Sequence, residues 1–355
     1  MKKELIKTFQ IAAVFIGTIV GAGLASGQEI NNFFTSYGLA SFIGIIICGF
    51  FYIIMSSIII KISIRYSLNS YSDIMKIINP NIFGKFTGVI TTLYLISSAS
   101  IILAGSGALL NQFFGIPKIV GSLLMMCIAI VFLLKDTDGL IEINSFIVPS
   151  LLFIISIIFI LYVFFAKDVF NLEVISNVTA SKKGVLGSTL LYVGYNVLCC
   201  SGVLAPLSTE TNNSKVMIRG VALGAIGLTI LSCAINLLLL VNQGYISELE
   251  IPLLFIAQRF GSVVQASLLV IIMMEMFSTE VSDVYSISKT LEQTFKIDFK
   301  KAIFIVLACA LPISLIGFKE LITKLYPLFG VLSIVFFVIP CLYFYYKHRG
   351  ELKNL

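Results

Sequence analysis

The chain has 355 residues, of which 58% are hydrophobic and only 12% charged, with a formal net charge of +6 and a mean hydropathy of +1.04. That composition excludes a soluble globular domain and describes an all-α, polytopic membrane protein whose solvent is the lipid bilayer. The modest positive charge reflects where lysines lie relative to the membrane and points to no nucleic-acid partner.

All seven cysteines (Cys48, Cys127, Cys199, Cys200, Cys233, Cys309, Cys341) fall within apolar segments, which argues against a disulfide framework. The single histidine, His348, lies in the C-terminal tail, so a histidine-based zinc site and HExxH proteolysis are excluded. Lys2, Lys3 and Lys7 ahead of an apolar run imitate a signal peptide, but the run is long, glycine-interrupted and followed by many others, so it reads as a span.

Spanning a hydrocarbon core of about 30 Å takes about 20 apolar residues. Ten segments qualify, at roughly 8–35, 39–63, 86–113, 118–135, 141–166, 184–208, 216–243, 261–286, 301–318 and 321–346. The first carries GTIVGAGLASGQE, from Gly17 to Glu29, with glycines at 17, 21, 23 and 27 and then Gln28 and Glu29. Glycine costs a helix about 1 kcal/mol against alanine, so the cluster invites unwinding. Unwound backbone in a bilayer is tolerated only where protein buries it or it lines a cavity. A broken first helix is therefore a candidate solute or ion site, and a glycine-smoothed helix–helix contact is the alternative.

Between the second and third segments, Tyr71 to Met75 predicts a short interfacial helix. The polar loop 169–183 joins the fifth and sixth segments. The sixth carries Cys199, Cys200, Ser201 and Gly202 at its centre and Pro206 beyond, which predicts a second break. Segments 1 and 6 are five spans apart, an odd number, so two halves, 8–166 and 184–346, would be inverted copies within one transporter domain covering 1–355. Interrupted helices at matching positions of inverted halves point to a transport site. An amphipathic run from Leu253 to Phe260 follows Pro252 and is placed to lie across a cavity mouth.

The eighth segment reads EMFSTEVSDVYSIS from Glu275. Glu275, Ser278, Thr279, Ser282 and Ser286 share one helical face, and Glu280 and Asp283 form a neighbouring stripe. Small-residue packing is the alternative for the hydroxyls, and an interfacial position near Lys289 for the two acids. An acidic side chain at membrane depth otherwise faces a cavity or a partner. With the N-terminus inside, seventeen of the 24 basic residues fall on inner sides and seven (Lys118, Lys167, Lys182, Lys183, Arg259, Lys319, Lys324) on outer sides. Both termini are then cytoplasmic.

Ten spans, broken helices 1 and 6 and a hydroxyl pair on helix 8 resemble the amino acid–polyamine–organocation superfamily, with its LeuT-like 5+5 inverted repeat. The GTIVGAGLASGQEI stretch resembles bacterial membrane proteins of the YkvI type, grouped with amino acid permeases. The resemblance implies a sodium site formed by the carbonyls of Gly17, Val20 and Glu275 and the hydroxyls of Ser278 and Thr279, an all-oxygen shell suited to a hard cation. It implies a substrate carboxylate on the free amides of Gly21, Ala22 and Gly23, and a substrate amine on carbonyls of Leu198 to Ser201, including those of Cys199 and Cys200. Tyr195 and Asn196 would wall the pocket, with Tyr94 and Ser98 of helix 3 near mid-membrane; Tyr94 as a plain core residue is the alternative.

Some proton-coupled relatives carry a lysine on helix 5, where this chain has Asn144 and Ser145 instead. Glu29, Glu275, Glu280 and Asp283 are the proton-carrying candidates, and the coupling ion stays open between sodium and proton. Glu29 is placed either to gate the outer mouth or to reach the interface.

The expected function is a secondary transporter of a small zwitterionic solute, an amino acid, in a bacterial cell membrane. It would work by alternating access as a monomer or weak homo-oligomer, without enzymatic activity, catalytic residues or a cofactor beyond a bound sodium ion. The alternative is an amino-acid-sensing receptor subunit, as in spore germination, that binds without transport. An intramembrane enzyme lacks a serine–histidine or serine–lysine pair at membrane depth, and a channel lacks a filter motif.

Overall fold

A computed structural model describes residues 2–79, 82–135, 140–165 and 180–352. The first segment is three helices rather than one: α1 (Lys2–Ile19), α2 (Ala22–Ser26) and α3 (Gln28–Phe33), followed by a 3-10 turn at Thr35–Tyr37. Then come α4 (Ala40–Tyr66), α5 (Tyr71–Ile78), α6 (Ile82–Phe114), α7 (Lys118–Lys135) and α8 (Leu140–Phe165). The second half comprises α9 (Val185–Thr211), α10 (Ser214–Val241), α11 (Gln243–Ile246), α12 (Pro252–Gln258), α13 (Ser262–Phe295) and α14 (Phe299–Ser314). It closes with α15 (Phe318–Ser333), a π-helical turn at Ile334–Val338, α16 (Ile339–Lys347) and α17 (Arg349–Leu352).

Among the described residues, seven helical stretches are long and apolar enough to cross a membrane, in α4, α6, α8, α9, α10, α13 and the α15–α16 run. The other three expected spans correspond to the interrupted α1–α3, to α7 and to α14, which are shorter. Large apolar side chains such as Phe50 and Phe164 remain exposed on the outer faces of these helices, as lipid contact requires. The loop expected at 169–183 falls, over 169–179, outside the described residues, as do the side chains of Asn144 and Ser145.

The helices pack in two groups. In one, α1 lies against α10, and α4 against α9 and α10. In the other, α6 and α13 pack on each other and on α7 and α14, with α8 against α13. The α15 helix joins them, touching both α9 and α6. Without a hydrophobic drive between helices in lipid, close approach depends on small residues. Gly220 and Gly224, a GxxxG pair on α10, face α1; a Cβ on Gly220 would meet the Ile11 Cβ at 2.6 Å. Where α9 crosses α15, a Cβ on Gly194 would meet the Gly330 carbonyl oxygen at 2.8 Å, and one on Gly330 would meet the Leu191 carbonyl carbon at 2.9 Å.

The two ends are tied differently. At one end α12 is buried through Pro252, Leu253, Leu254, Ile256 and Ala257 and packs on α2, α10 and α13. The Gln112 side chain holds the Ile251 backbone from both sides (2.9 and 3.2 Å), and Lys118 pairs with Glu250. The run expected across a cavity mouth thus closes this end. At the other end α5 forms at the predicted place. Its N-cap Ser70 accepts from the Asp73 amide at 3.1 Å and donates to the Asp73 carboxylate at 2.8 Å. Arg65 pairs with Glu351 nearby in the packing of α17 on α4.

One expectation is overturned. The sixth span does not break: α9 is helical from Val185 to Thr211, through Cys199–Gly202 and past Pro206. A proline inside a helix clashes with the carbonyl four residues earlier. Here that residue is Gly202, and the helix nonetheless carries on past it to Thr211. Packing on α4 and α15 holds the rest of the helix together.

Candidate functional site: a tyrosine chamber beside the broken helix

The first helix ends because the Gly21 amide turns to the Ile19 carbonyl, two residues back, at 3.0 Å. Gly21 is extended (φ −104°, ψ −172°) and provides no side-chain cap for α2. A helix terminus leaves its last carbonyls and first amides without intrahelical partners. The Gly17 and Val20 carbonyls therefore lie at the C-terminal side of the break, and the Ala22 and Gly23 amides at its N-terminal side. Ala22 through Ser26 are all buried, and α2 packs on α13.

A second turn follows at once. Gly27 is left-handed (φ +83°), a conformation that favours glycine, and it starts α3 in a new direction. That reversal folds Glu29 back over α2. The Glu29 carboxyl occupies the space a side chain at Gly23 would need: an added Cβ would meet its Cγ at 2.6 Å and its Cδ at 2.7 Å. Glu29 is 1% exposed, and its Oε2 accepts from the Tyr192 hydroxyl at 3.0 Å. It neither gates an outer mouth nor reaches an interface.

Tyr192 opens a chain of rings. It packs against Phe33 and Phe34, and lies 6.5 Å from Tyr195, one turn on along α9. Tyr195 stacks on Tyr326 of α15 (centroids 4.2 Å, interplanar 18°) and faces Tyr94 of α6 at 6.0 Å. Tyr94 packs edge-on against Phe329 and meets the Cys199 sulfur through its hydroxyl at 2.7 Å. Aromatic pairs of this kind contribute about 0.5–1.5 kcal/mol each beyond their buried area. The Gly194–Gly330 crossing explains the geometry: it brings α9 and α15 into backbone contact one residue from Tyr195 and one turn from Tyr326.

The chamber has an acid on each side. Opposite Glu29, Asp283 of α13 hydrogen-bonds Ser98 of α6. Tyr326 and Cys199 lie within electrostatic reach of both Glu29 and Asp283. Asp283 Oδ2 is buried without a hydrogen-bond partner, and so are both carboxyl oxygens of Glu280, which is fully buried. Among the described residues no lysine or arginine is buried. The ion pairs there engage Asp73, Glu250, Glu292, Glu320 and Glu351, at helix ends. An ion buried without a counter-charge costs several kcal/mol, so these sites favour a cation or a proton.

The structure thus brings together Gly23, Glu29, Tyr94, Ser98, Tyr195, Cys199 and Asp283. Gly17 packs against Val148 of α8 and belongs, with Val20, to the α1 side of the break; Gly21 and Ala22 open its α2 side. Glu275 and Ser278 are buried and Thr279 is half-buried on α13. Cys200, by contrast, lies within reach of Cys48 on α4. Asn196 turns onto the Tyr192 carbonyl (3.0 Å) and the Ser201 hydroxyl onto the Leu198 carbonyl (2.7 Å). Because α9 is continuous, the Leu198–Ser201 carbonyls lie inside a helical run and do not form an open amine site there.

No protein-family profile matches the chain. Over 327 residues it is 29% identical to the "uncharacterized membrane protein YkvI" of Bacillus subtilis (strain 168), covering 92% of this chain and 93% of YkvI. Its backbone is similar to that of inward-facing Mhp1 (TM-score 0.62, 15% identity, 92% of this chain and 73% of Mhp1). It is also similar to an Eremococcus coleocola manganese transporter variant (0.68, 14%, 96% and 79%) and to MhsT in complex with L-phenylalanine (0.59, 12%, 95% and 87%). This is the LeuT-like transporter fold. The resemblance read from the glycine-rich first segment therefore holds for the whole helical framework.

Three ring-bearing members of the chamber escaped the sequence reading: Tyr192, Tyr326 and Phe329. Tyr192 had a usable signal, since it precedes Tyr195 and Asn196 by one turn. Tyr326 and Phe329 carried none, because nothing in a single apolar segment tells which of its aromatic residues turns inward.

Proposed function

We propose that the chain is a secondary transporter that carries a small zwitterionic solute, an amino acid, across the membrane by alternating access. The observation that carries this reading is the break of the first span at Val20–Gly21, where the buried, uncapped Ala22 and Gly23 amides adjoin a packed cluster of tyrosines and acids. The solute's carboxylate would meet the Ala22 and Gly23 amides, aided by the positive end of α2, while the Gly21 amide expected beside them is taken by the Ile19 carbonyl.

Ten spans in a 5+5 inverted repeat are supported by the packing. The first helix of each half lies on the second helix of the other, α1 on α10 and α9 on α4. Neighbours in the fold take small organic molecules: MhsT was solved with L-phenylalanine, an amino acid, and Mhp1, a nucleobase-cation-symport-1 family transporter, with bromovinylhydantoin, which is not a zwitterion. A manganese cargo, by analogy with the Eremococcus protein, has no donor set: among the described residues no three His, Cys, Asp or Glu side chains converge as a metal site.

The driving ion is a sodium ion or a proton, and α13 carries the groups for either. Sodium would take the Gly17 and Val20 carbonyls, the Glu275 carbonyl and the Ser278 and Thr279 hydroxyls; the packing on α13 of α2, which follows the break, supports this reading. A proton would reside on Glu275, Glu280 or Asp283. Uptake of labelled amino acids into proteoliposomes, under a sodium gradient or a pH gradient, tests the reading. Accumulation that follows one gradient and collapses with it is expected. Binding without uptake under either gradient would overturn transport in favour of a sensor.

A further inference from the structure

We propose that Glu29, with the rings of Tyr192, Tyr195 and Tyr326, is the receptor for the ammonium group of the solute, so that the site takes small amine cations, amino acids included. The proposal rests on the reading of the chain as a solute carrier with its site at the helix break, and it names what that site recognises.

Four observations lead here. First, Glu29 is 1% exposed and accepts its hydrogen bond from a neutral phenol, the Tyr192 hydroxyl at 3.0 Å. No lysine or arginine among the described residues is buried to balance it. Second, tyrosine rings lie within its electrostatic reach. Tyr195 and Tyr326 stack at 4.2 Å within reach of the carboxylate, and a cation over such faces gains attraction from the ring quadrupole. Third, the Glu29 carboxyl lies directly over the bare Cα of Gly23, beside the uncapped amides of Ala22 and Gly23. In an amino acid the ammonium and carboxylate flank a single carbon, so one molecule reaches both the carboxyl and the amides. Fourth, the continuous α9 withdraws the helix 6 carbonyls as amine acceptors, and Glu29 is an acidic acceptor within electrostatic reach of Tyr195, Cys199 and Tyr326. Asp283, within reach of the same Cys199 and Tyr326 and with one oxygen unpartnered, is a second acidic group beside them.

In the geometry seen, the Tyr195–Tyr326 stack fills the space a ligand needs. Binding therefore requires Tyr326 to yield. It precedes Pro327 in α15, upstream of the π-helical turn at Ile334–Val338, where the regular hydrogen-bond ladder is already interrupted.

The test uses the purified full chain in detergent and three matched probe sets: the common amino acids, the amines left by removing their carboxylates, and the acids left by removing their amino groups. A ligand that binds the folded state raises its unfolding temperature by mass action. The expected result is stabilisation by at least one amino acid and by its matched amine, with none from the matched acid. Glu29→Gln keeps the size and the Tyr192 hydrogen bond and removes a buried charge, so it folds; it should weaken the amine response by about tenfold or more. Stabilisation by acids alone, no response to any amine, or an undiminished amine response in Glu29→Gln would each overturn the proposal. Amine stabilisation without gradient-driven uptake would support the receptor while removing the transporter reading. Uptake of acids without any amine response would do the reverse.

Discussion

Adding one methyl group at Gly23 should expose the contact on which the chamber depends. A Cβ there meets Glu29 Cγ at 2.6 Å and Cδ at 2.7 Å, well inside van der Waals contact, so the glutamate must move. Phe33 and Tyr192 surround it, and the movement sacrifices the 3.0 Å bond from the Tyr192 hydroxyl. A hydrogen bond contributes about 0.5–1.5 kcal/mol net, and overpacking costs about 1–3 kcal/mol. Against these, replacing a helical glycine by alanine gains at most about 1 kcal/mol. The losses win, so Gly23→Ala should destabilise the protein by about 2 kcal/mol and weaken amine binding. In a Glu29→Ala background the clash disappears and only the propensity gain is left, so the same substitution should be neutral or stabilising. Thermal or denaturant unfolding of wild type, both single variants and the double variant measures the coupling. Independent sites add to within about 0.5 kcal/mol. Additive effects of that quality would refute the contact and, with it, the placement of Glu29 in the break.

The remaining predictions concern other joints of the structure. Gly330→Ala drives a Cβ into the Leu191 backbone, which cannot rotate away; it should cost about 1–3 kcal/mol and loosen the Tyr195–Tyr326 stack, seen as altered tyrosine fluorescence. Glu280→Gln replaces a fully buried carboxyl whose two oxygens have no partner. Its unfolding temperature should be unchanged or raised, while gradient-driven accumulation falls and solute exchange without a gradient persists; full accumulation would free Glu280 of a coupling role. Ser70→Ala removes the α5 cap and should cost about 1 kcal/mol, read locally by hydrogen exchange in α5. The same cap carries a pH signature. The Ser70 hydroxyl foremost, and Lys76 after it, hold the Asp73 carboxyl below its ordinary value of 3.8. A depressed value means the contribution is complete above 3.8 and is lost as pH falls through the folded-state value. Protection of α5 amides, normalised to intrinsic exchange, should therefore drop only in strong acid, and in Ser70→Ala that dependence should flatten.

What was readable in advance had local causes. Clustered glycines broke the first helix where expected, because backbone entropy and missing side chains act within a few residues. The short helix at α5 and the run behind Pro252 that becomes α12 were likewise legible. The helix 8 acids were visible as charges at membrane depth. The predicted break in the sixth span failed for the complementary reason. Its glycine and proline were local signals, but contacts with α4 and α15 kept the helix whole.

The sequence by itself determined that this is a membrane protein of long apolar helices, where the first of them is interrupted, and which acids fall within or beside its apolar segments. Those properties follow from transfer free energy and backbone propensity, each summed over one segment. Only the tertiary structure decided that Glu29 folds back onto Gly23, that Tyr326 meets Tyr195, and that Cys200 and Ser201 turn away from the chamber. These depend on the rotation of each helix about its axis, and that rotation is fixed by backbone contacts between residues far apart in the chain, such as Gly194 with Gly330 and Gly220 with Ile11. In lipid, apolar faces are nearly equivalent to their surroundings, so hydrophobic periodicity carries little of that information.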